Sequence, residues 1–363
     1  MPDETPRWRQ RFADNREARD WNLASLLMSL PLLLVGSYYY GANALRTAVV
    51  AALAAALCEW AAARLILRKR TIDDWNAVVT GIWIACMLPA EVKSTFAAPV
   101  YAAIGAIFAV LVVKIPFGGT MHAPFTPAAA GLAFLTVCFP KTVFNYLPSA
   151  QVPPLYNQSL ARMLQQGRSV MDGRQLSGIL LGQTAGPMGT GCILLIATAL
   201  LASFMIKKRR GAALVSLAFI VTVAVLSFLM PRVTGAGAGV RLASAGMELC
   251  SGSLLFAAVY LLPDPAIMPQ RWHTRLGFGS LAGLLCVTMR QLGNLQQGSY
   301  EETVWFAVLL ADAFMPLLYR LQAEIRNQQE FRERVEAMTA EERLEIVSKK
   351  EKEEQQRREA DNA

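Results

Sequence analysis

The chain has 363 residues, of which 54% are apolar and only 17% charged, against about 45–50% and about 25% in an average soluble domain. This mixture excludes a soluble enzyme of the same size. The net charge of +8 sits in short basic clusters between long apolar runs, where it orients a membrane protein rather than forming a nucleic-acid surface.

A charged segment, 1–21, precedes the first apolar run and carries no signal-peptide cleavage pattern. Crossing ~30 Å of hydrocarbon as a helix takes about 17–25 apolar residues. Runs near 22–41, 44–64, 76–91, 96–113, 125–140, 189–206, 211–230, 244–262, 275–290 and 303–320 therefore predict an all-α polytopic integral membrane protein with about ten crossings and a transmembrane domain over 22–320. The third and fifth runs are short and carry Pro or Gly at their ends. Re-entrant or half helices are expected there, because neighbouring protein can cover their backbone.

Between the fifth and sixth runs lies the one large extramembrane insertion, 141–188, in which 159–166 has the pattern of a short helix. It ends in LSGILLGQTAGPMGTG (176–191). Glycine lets backbone amides approach a ligand, and amides at a helix start favour phosphate. The plainer alternative is a turn that caps the sixth span. After the last span, residues 324–363 hold 9 Lys and Arg and 12 Asp and Glu. Within this tail, 321–363, Phe331, Val335 and Met338 form a short apolar stripe and Thr339 opens a T-A-E-E cap. The final stretch, SKKEKEEQQRREADNA, has nothing to bury and is expected to be frayed or disordered.

Orientation follows from the basic residues. With the N-terminus inside, the inner segments before the tail hold 16 Lys and Arg and the outer ones 9, and the tight clusters RLILRKR (64–70) and KKRR (207–210) fall inside. Both termini are therefore expected in the cytoplasm of an inner-membrane protein, with 141–188 outside. The six cysteines stand singly in apolar stretches and read as packing thiols. Two histidines, His122 and His273, are too few for a histidine metal site, and none is expected.

Carboxylates at membrane depth are expensive, so they point to function. Asp74, Glu248, Asp264 and Asp312 are the candidates for ion coupling, since carboxylates can replace the water around a cation. The alternative for each is an interfacial residue that caps a helix or pairs with a cation, as Asp74 with Arg70.

Three stretches are unlike generic transmembrane sequence: RTIDDWNAVVTGIWIACMLP (70–89), KIPFGGTMHAPFTPAAAGLAFL (114–135) and ELCSGSLLFAAVYLLPDPAIMP (248–269). In this order they resemble the membrane flavoprotein family that contains the D-type membrane component of the Rnf electron-transport complex and the B-type component of the sodium-pumping NADH:quinone reductase. The likeness rests on Asp74, Thr80, Gly81 and Pro89. It continues through Lys114, Phe117, Gly118, Gly119, Phe125, Pro127, Ala128, Gly131 and Phe134, and then Glu248, Ser251, Gly252, Leu255, Phe256, Asp264, Pro265 and Pro269. Arg290, Gly293, Ala307, Leu309 and Pro316 follow. It covers about 20–320 and is closer to the Rnf type, because the chain ends soon after its last span. His122 and Thr126 stand where the family usually has Asn.

The resemblance implies a component of a complex that passes electrons of the ferredoxin/NAD class and couples them to movement of Na+ or H+. It also implies FMN, carried through its phosphate by a Thr of an SGAT motif on the outer side, with riboflavin as a second flavin form to consider. No SGAT occurs here. The hydroxyls nearest the expected place are Ser169, Ser177 and Thr184. A flavin is therefore expected to be held without a covalent bond, by Thr184 and the amides near Gly186, Gly189 and Gly191. Other membrane and cytoplasmic subunits and the lipid bilayer are the expected partners, because the chain has no cluster ligands and no nicotinamide fingerprint. Readings left open are a secondary transporter or channel, and a divergent scaffold subunit without flavin. No GxxxxGK[ST] run occurs, which disfavours an ATP-driven pump.

Overall fold

Apolar runs at hydrocarbon depth fold as helices because their backbone N–H and C=O groups have no water to turn to. The computed structural model describes residues 15–67, 75–90, 97–120, 122–146, 155–156, 158–168, 176–233, 237–295 and 302–337. Among them the elements are helices, with one isolated parallel bridge between Ser159 and Ala185. The chain divides into two units, 1–314 and 315–363. The second holds the continuation of the last helix to Ala337, through Phe331 and Val335; Met338, Thr339 and the rest of the tail lie outside the described residues.

In the first unit α1 (Asn15–Tyr40) is separated from α2 (Ala42–Ala62) by Gly41 alone, whose φ of 77° turns the chain back. α2 runs on into a wide π turn, Ala63–Leu67. There follow α3 (Asn76–Cys86), α4 (Ala97–Phe108) with a second π segment, Ala109–Lys114, and α5 (Pro127–Cys138). The long insertion 141–188 contributes α6 (Leu160–Gln165) and α7 (Leu176–Leu181). After it come α8 (Ile193–Met205), a 3-10 turn (Lys207–Arg209), α9 (Arg210–Leu229), α10 (Ala238–Cys250) and α11 (Leu254–Phe256), which widens into a third π segment, Ala257–Leu261. α12 (Trp272–Leu295) and α13 (Val304–Ala337) complete the order.

Five stretches are long and apolar enough to cross a membrane: Ala18–Tyr40, Ala42–Leu65, Ala97–Lys114, Lys207–Leu229 and Val304–Ile325. α10 and α11 make a sixth that is broken and bent by 63°. At 1.5 Å per residue the 11 residues of α3 and 12 of α5 reach about 16–18 Å, half of the hydrocarbon. The half helices expected at 76–91 and 125–140 are thus present. α8, with 13 residues, is also short, because the first residues of its apolar run belong to the glycine-rich loop. α12 is long but carries Arg275 and Arg290 and falls outside the apolar set. Of the ten expected crossings, five full and one broken meet the length and apolarity required among the described residues.

Short helices survive at this depth only when enclosed, and α3 is: every residue from Gly81 through Ala90 is buried. Gly81 lies on the backbone of Ala51 in α2, and Gly279 and Gly283 of α12 lie on the carbonyls of Val215 and Phe219 in α9; a Cβ at Gly81 or Gly279 would collide with backbone, and one at Gly283 would be tightly pressed. This small-residue contact brings α9 and α12 together as membrane helices pack without a hydrophobic driving force.

The described parts of 141–188 pack against the helices. Ser159 caps α6 by accepting the Arg162 N–H at 3.2 Å. Leu160, Met163, Leu164 and Ile179 then join Ile193, Val233 and Met247 in one apolar cluster. The short helix expected at 159–166 is therefore present and rests on α10. All six cysteines are free thiols.

Candidate functional site

Charged side chains gather in two buried assemblies. The first lies where α10 breaks. Glu248, at the end of α10, accepts from Arg232 Nε at 3.1 Å and Nη2 at 2.6 Å, and from Arg290 Nη1 at 2.9 Å. The same Arg290 nitrogen donates to the Glu248 carbonyl at 3.1 Å and to Ser251 Oγ at 3.0 Å, while Nη2 donates to Glu302 at 2.7 Å. The other oxygen of Glu302 accepts the Ser253 N–H at 2.8 Å, and the first also receives Thr303 N–H at 3.2 Å. One carboxylate thus serves the first residues after the break and the start of α13, both places where helix amides lack intrahelical partners. Gly252, between them, has φ of 61°, and a Cβ there would run into the Glu302 carboxylate.

Two guanidinium groups and two carboxylates balance in charge, and only Arg290 Nε is left without a hydrogen-bond partner among their described ionic contacts. Glu248, expected as an ion-coupling residue, is held by two arginines. Arg232 reads in the sequence as an orienting loop charge, and Glu302 as one of two acids before an apolar run. The only sign of Glu302's role is its place just ahead of a helix start.

The second assembly involves the ends of α2 and α4, the start of α5, the turn after α11, and α13. Glu59 and Lys114, each almost wholly buried, meet at 2.6 Å. Asp264, in the turn after the third π segment, accepts the Ala266 N–H at 2.9 Å. The Lys114 ammonium acts on the Asp264 charge, and Asp264 acts on Asp312. Asp312 accepts the Thr126 N–H at 2.8 Å and so caps the half helix α5 from another element. Its other oxygen, Oδ1, is buried without a hydrogen-bond partner. Burial pushes the Asp264 carboxyl up to about 6, against the opposing pull of the Ala266 N–H and the Lys114 ammonium. Asp264 and Asp312, separate candidates in the sequence, are thus linked electrostatically, and Lys114, paired with Glu59, acts on the first of them. π segments end or lie beside three of these contributions, and such wide turns frequently occur at functional positions. Asp74 lies outside the described residues. Among those described, no group of three or more His, Cys, Asp or Glu is placed to hold a metal ion.

Between the assemblies runs the glycine-rich loop. The Met188 N–H donates to Leu88 O at 3.0 Å and the Gly189 N–H to Cys86 O at 2.8 Å, closing the C-terminus of α3. Gly189 lies against Cys86 and Gly191 against Gly182, and a Cβ on Gly189 would strike the Cys86 side chain. Thr190 donates to Gly252 O at 3.3 Å, and Tyr40 to Gly186 O at 3.3 Å. Gly186 alone of the three expected glycines has open space beside it. Thr184 is half-buried two residues away.

Comparison with known proteins fits this arrangement. A profile of the NQR2, RnfD, RnfE family matches residues 10–326. The D component of the ion-translocating oxidoreductase complex of Klebsiella pneumoniae (strain 342) is 31% identical over 333 residues, covering 82% of this chain and 91% of that protein. Proteins of the same description from Salmonella enteritidis PT4 and Citrobacter koseri are 28% and 29% identical, covering 82% and 81% of this chain and 90% of each relative.

Proposed function

The chain belongs to the NQR2, RnfD, RnfE family, and we propose that it is the D-type membrane component of an ion-translocating oxidoreductase complex. In this role Asp264 and Asp312 take the translocated Na+ or H+. The observation that carries the assignment is the pair of buried carboxylates, Asp264 in the turn after the broken span and Asp312 within α13 at the start of the half helix α5, the latter with one oxygen that has no hydrogen-bond partner. A carboxylate enclosed in protein at membrane depth exchanges its energetic cost for a cation or a proton. Glu59 and Lys114 form a fixed ion pair beside it, and the Arg232–Glu248–Arg290–Glu302 network braces the opposite side of the broken span. Both termini face the cytoplasm in this reading, and 141–188 faces outward.

FMN, which the family relationship implies, supplies one- and two-electron transfer when bound. The glycine-rich run does not fit its phosphate well. The amides of Met188 and Gly189 already close α3, and the faces of Gly189 and Gly191 lie on Cys86 and Gly182. Of the residues expected there, Gly186 and Thr184 remain accessible, so the flavin is assigned to the part of the run around Thr184 and Gly186, ahead of the amides that close α3, without a covalent bond.

The test is extraction of the native membrane in mild detergent with a tag on this chain. Co-purification of further membrane subunits, together with loss of donor-driven ion movement when the chain is deleted, is the expected result. A chain that purifies alone, and whose deletion leaves coupled electron transfer intact, sinks the assignment.

A further inference from the structure

Among the described residues, Arg209 is a buried arginine with no carboxylate in ion-pair contact. It stands in the turn between α8 and α9 with 2% of its surface exposed. The other buried cations described, Lys114, Arg232 and Arg290, each have a carboxylate at 2.6–2.9 Å. Arg209 has Trp21, whose ring its guanidinium covers at 4.7 Å, and the sulfur of Met28 at 3.3 Å from Nη1. Its Nε has no hydrogen-bond partner. The nearby Tyr260 hydroxyl is turned away, donating to Met28 O at 2.8 Å. A thioether is a weak acceptor and an aromatic face a modest one, and neither offsets the hydration lost by a full positive charge.

The surroundings indicate which anion would suit this guanidinium. Lys207, Lys208 and Arg210 extend the same rim into the exterior. The one acid described against it is Asp20, 3.3 Å from Lys208, with both side chains 62% exposed and so only weakly paired. From this rim two neighbouring helices present aliphatic side chains outward: Leu23, Leu27 and Leu30 of α1, and Leu201 and Met205 of α8. A cationic rung with a guanidinium at its base that no described carboxylate pairs, beside exposed apolar side chains of two packed helices, matches an amphiphile with a phosphate head and acyl chains.

We propose that Arg209, with Lys207 and Lys208, binds the phosphate of an anionic phospholipid whose chains lie along the α1 and α8 face. Basic pockets between helices on the cytoplasmic side take anionic headgroups in this way. The proposal rests on the orientation given above only for the choice of leaflet, and lipid binding in detergent does not depend on it or on turnover.

The full chain, with the subunits it retains, is delipidated in mild detergent and offered phosphatidylglycerol or phosphatidylcholine, and bound lipid is counted by native mass spectrometry. Wild type is expected to retain at least tenfold more phosphatidylglycerol, and Arg209→Gln to lose that preference. Should Arg209→Gln not fold, the exposed double variant Lys207→Gln/Lys208→Gln reports instead, with the preference reduced severalfold. Equal retention of the two lipids overturns the proposal, as does an unchanged preference in the variants. Displacement of phosphatidylglycerol by inorganic phosphate alone overturns it in favour of a simple anion site. Cross-linking of the rung to a partner's acidic residue, with no lipid bound, overturns it in favour of a protein contact.

Discussion

Arg290 and Glu302 meet at 2.7 Å with almost no exposure of either side chain. They join α12 to the start of α13, and through the Ser253 N–H the pair reaches the break in the sixth span. The break is thus held by a charge from elsewhere in the chain rather than by its own backbone.

Removing one member of such a pair leaves the other charged and buried, which costs about 3–5 kcal/mol. Glu302→Ala is expected to lower the thermal midpoint in detergent substantially. Arg290→Lys should do likewise, because one ammonium cannot bridge both carboxylates as the fork does. Gly252→Ala should join them, through its positive φ and the carboxylate it would displace. Midpoints within a degree of wild type for all three would remove the network from the account of stability.

Asp264→Asn and Asp312→Asn are expected to lower ion movement per electron at least severalfold while expression persists, read as cation uptake against donor oxidation in vesicles. Asp264 carries a carboxyl raised by burial from 3.8 to about 6. Cation binding by its anion should therefore weaken as pH falls through about 6, and Asp264→Asn should flatten that limb. The folded state binds this proton more tightly than the unfolded one, so the linked stability rises as pH falls from about 6 towards 3.8. Wild-type coupling in both variants would return the carboxylates to a structural role.

Any flavin on the chain should leave with acid or denaturant. Denaturing gels viewed under ultraviolet light are expected to show no fluorescent band, while the native protein shows flavin absorption. A fluorescent band with FMN mass on a peptide from 141–190 would show attachment, and would identify the residue.

Reporter fusions at Lys208 and Gln166 should report opposite compartments, cytoplasmic for the first and external for the second. A shared compartment would undo the orientation drawn from the basic residues.

Much of this fold is legible in the chain because membrane depth makes local rules strict. Apolar lengths and flanking Pro or Gly residues locate the half helices α3 and α5, and Ser159 marks the start of α6. Asp264 and Asp312 stand out because few carboxylates sit in such surroundings. Pairings across distance are not legible. Glu59 lies in an alanine-rich helix and meets Lys114 only through folding, and Glu302 reaches a backbone amide 49 residues away. Arg209 has the same composition as its exposed neighbours in KKRR, and nothing local marks it as the buried one. The glycine-rich run shows the converse difficulty: its pattern suits a phosphate cradle, yet helix closure uses the amides at Met188 and Gly189.

The apolar cluster beneath α6 and α7 makes one lever of two parts. Met247, which packs with Leu160, Met163 and Ile179, immediately precedes Glu248, so α6 and the hinged span share an anchor point one residue from the ionic brace. A force that tilts α6 is transmitted to the hinge without passing through solvent. Interiors this densely packed shift between discrete arrangements rather than deforming smoothly. A displacement of α6 would therefore reach Met247, and the braced residue beside it, through packed side chains.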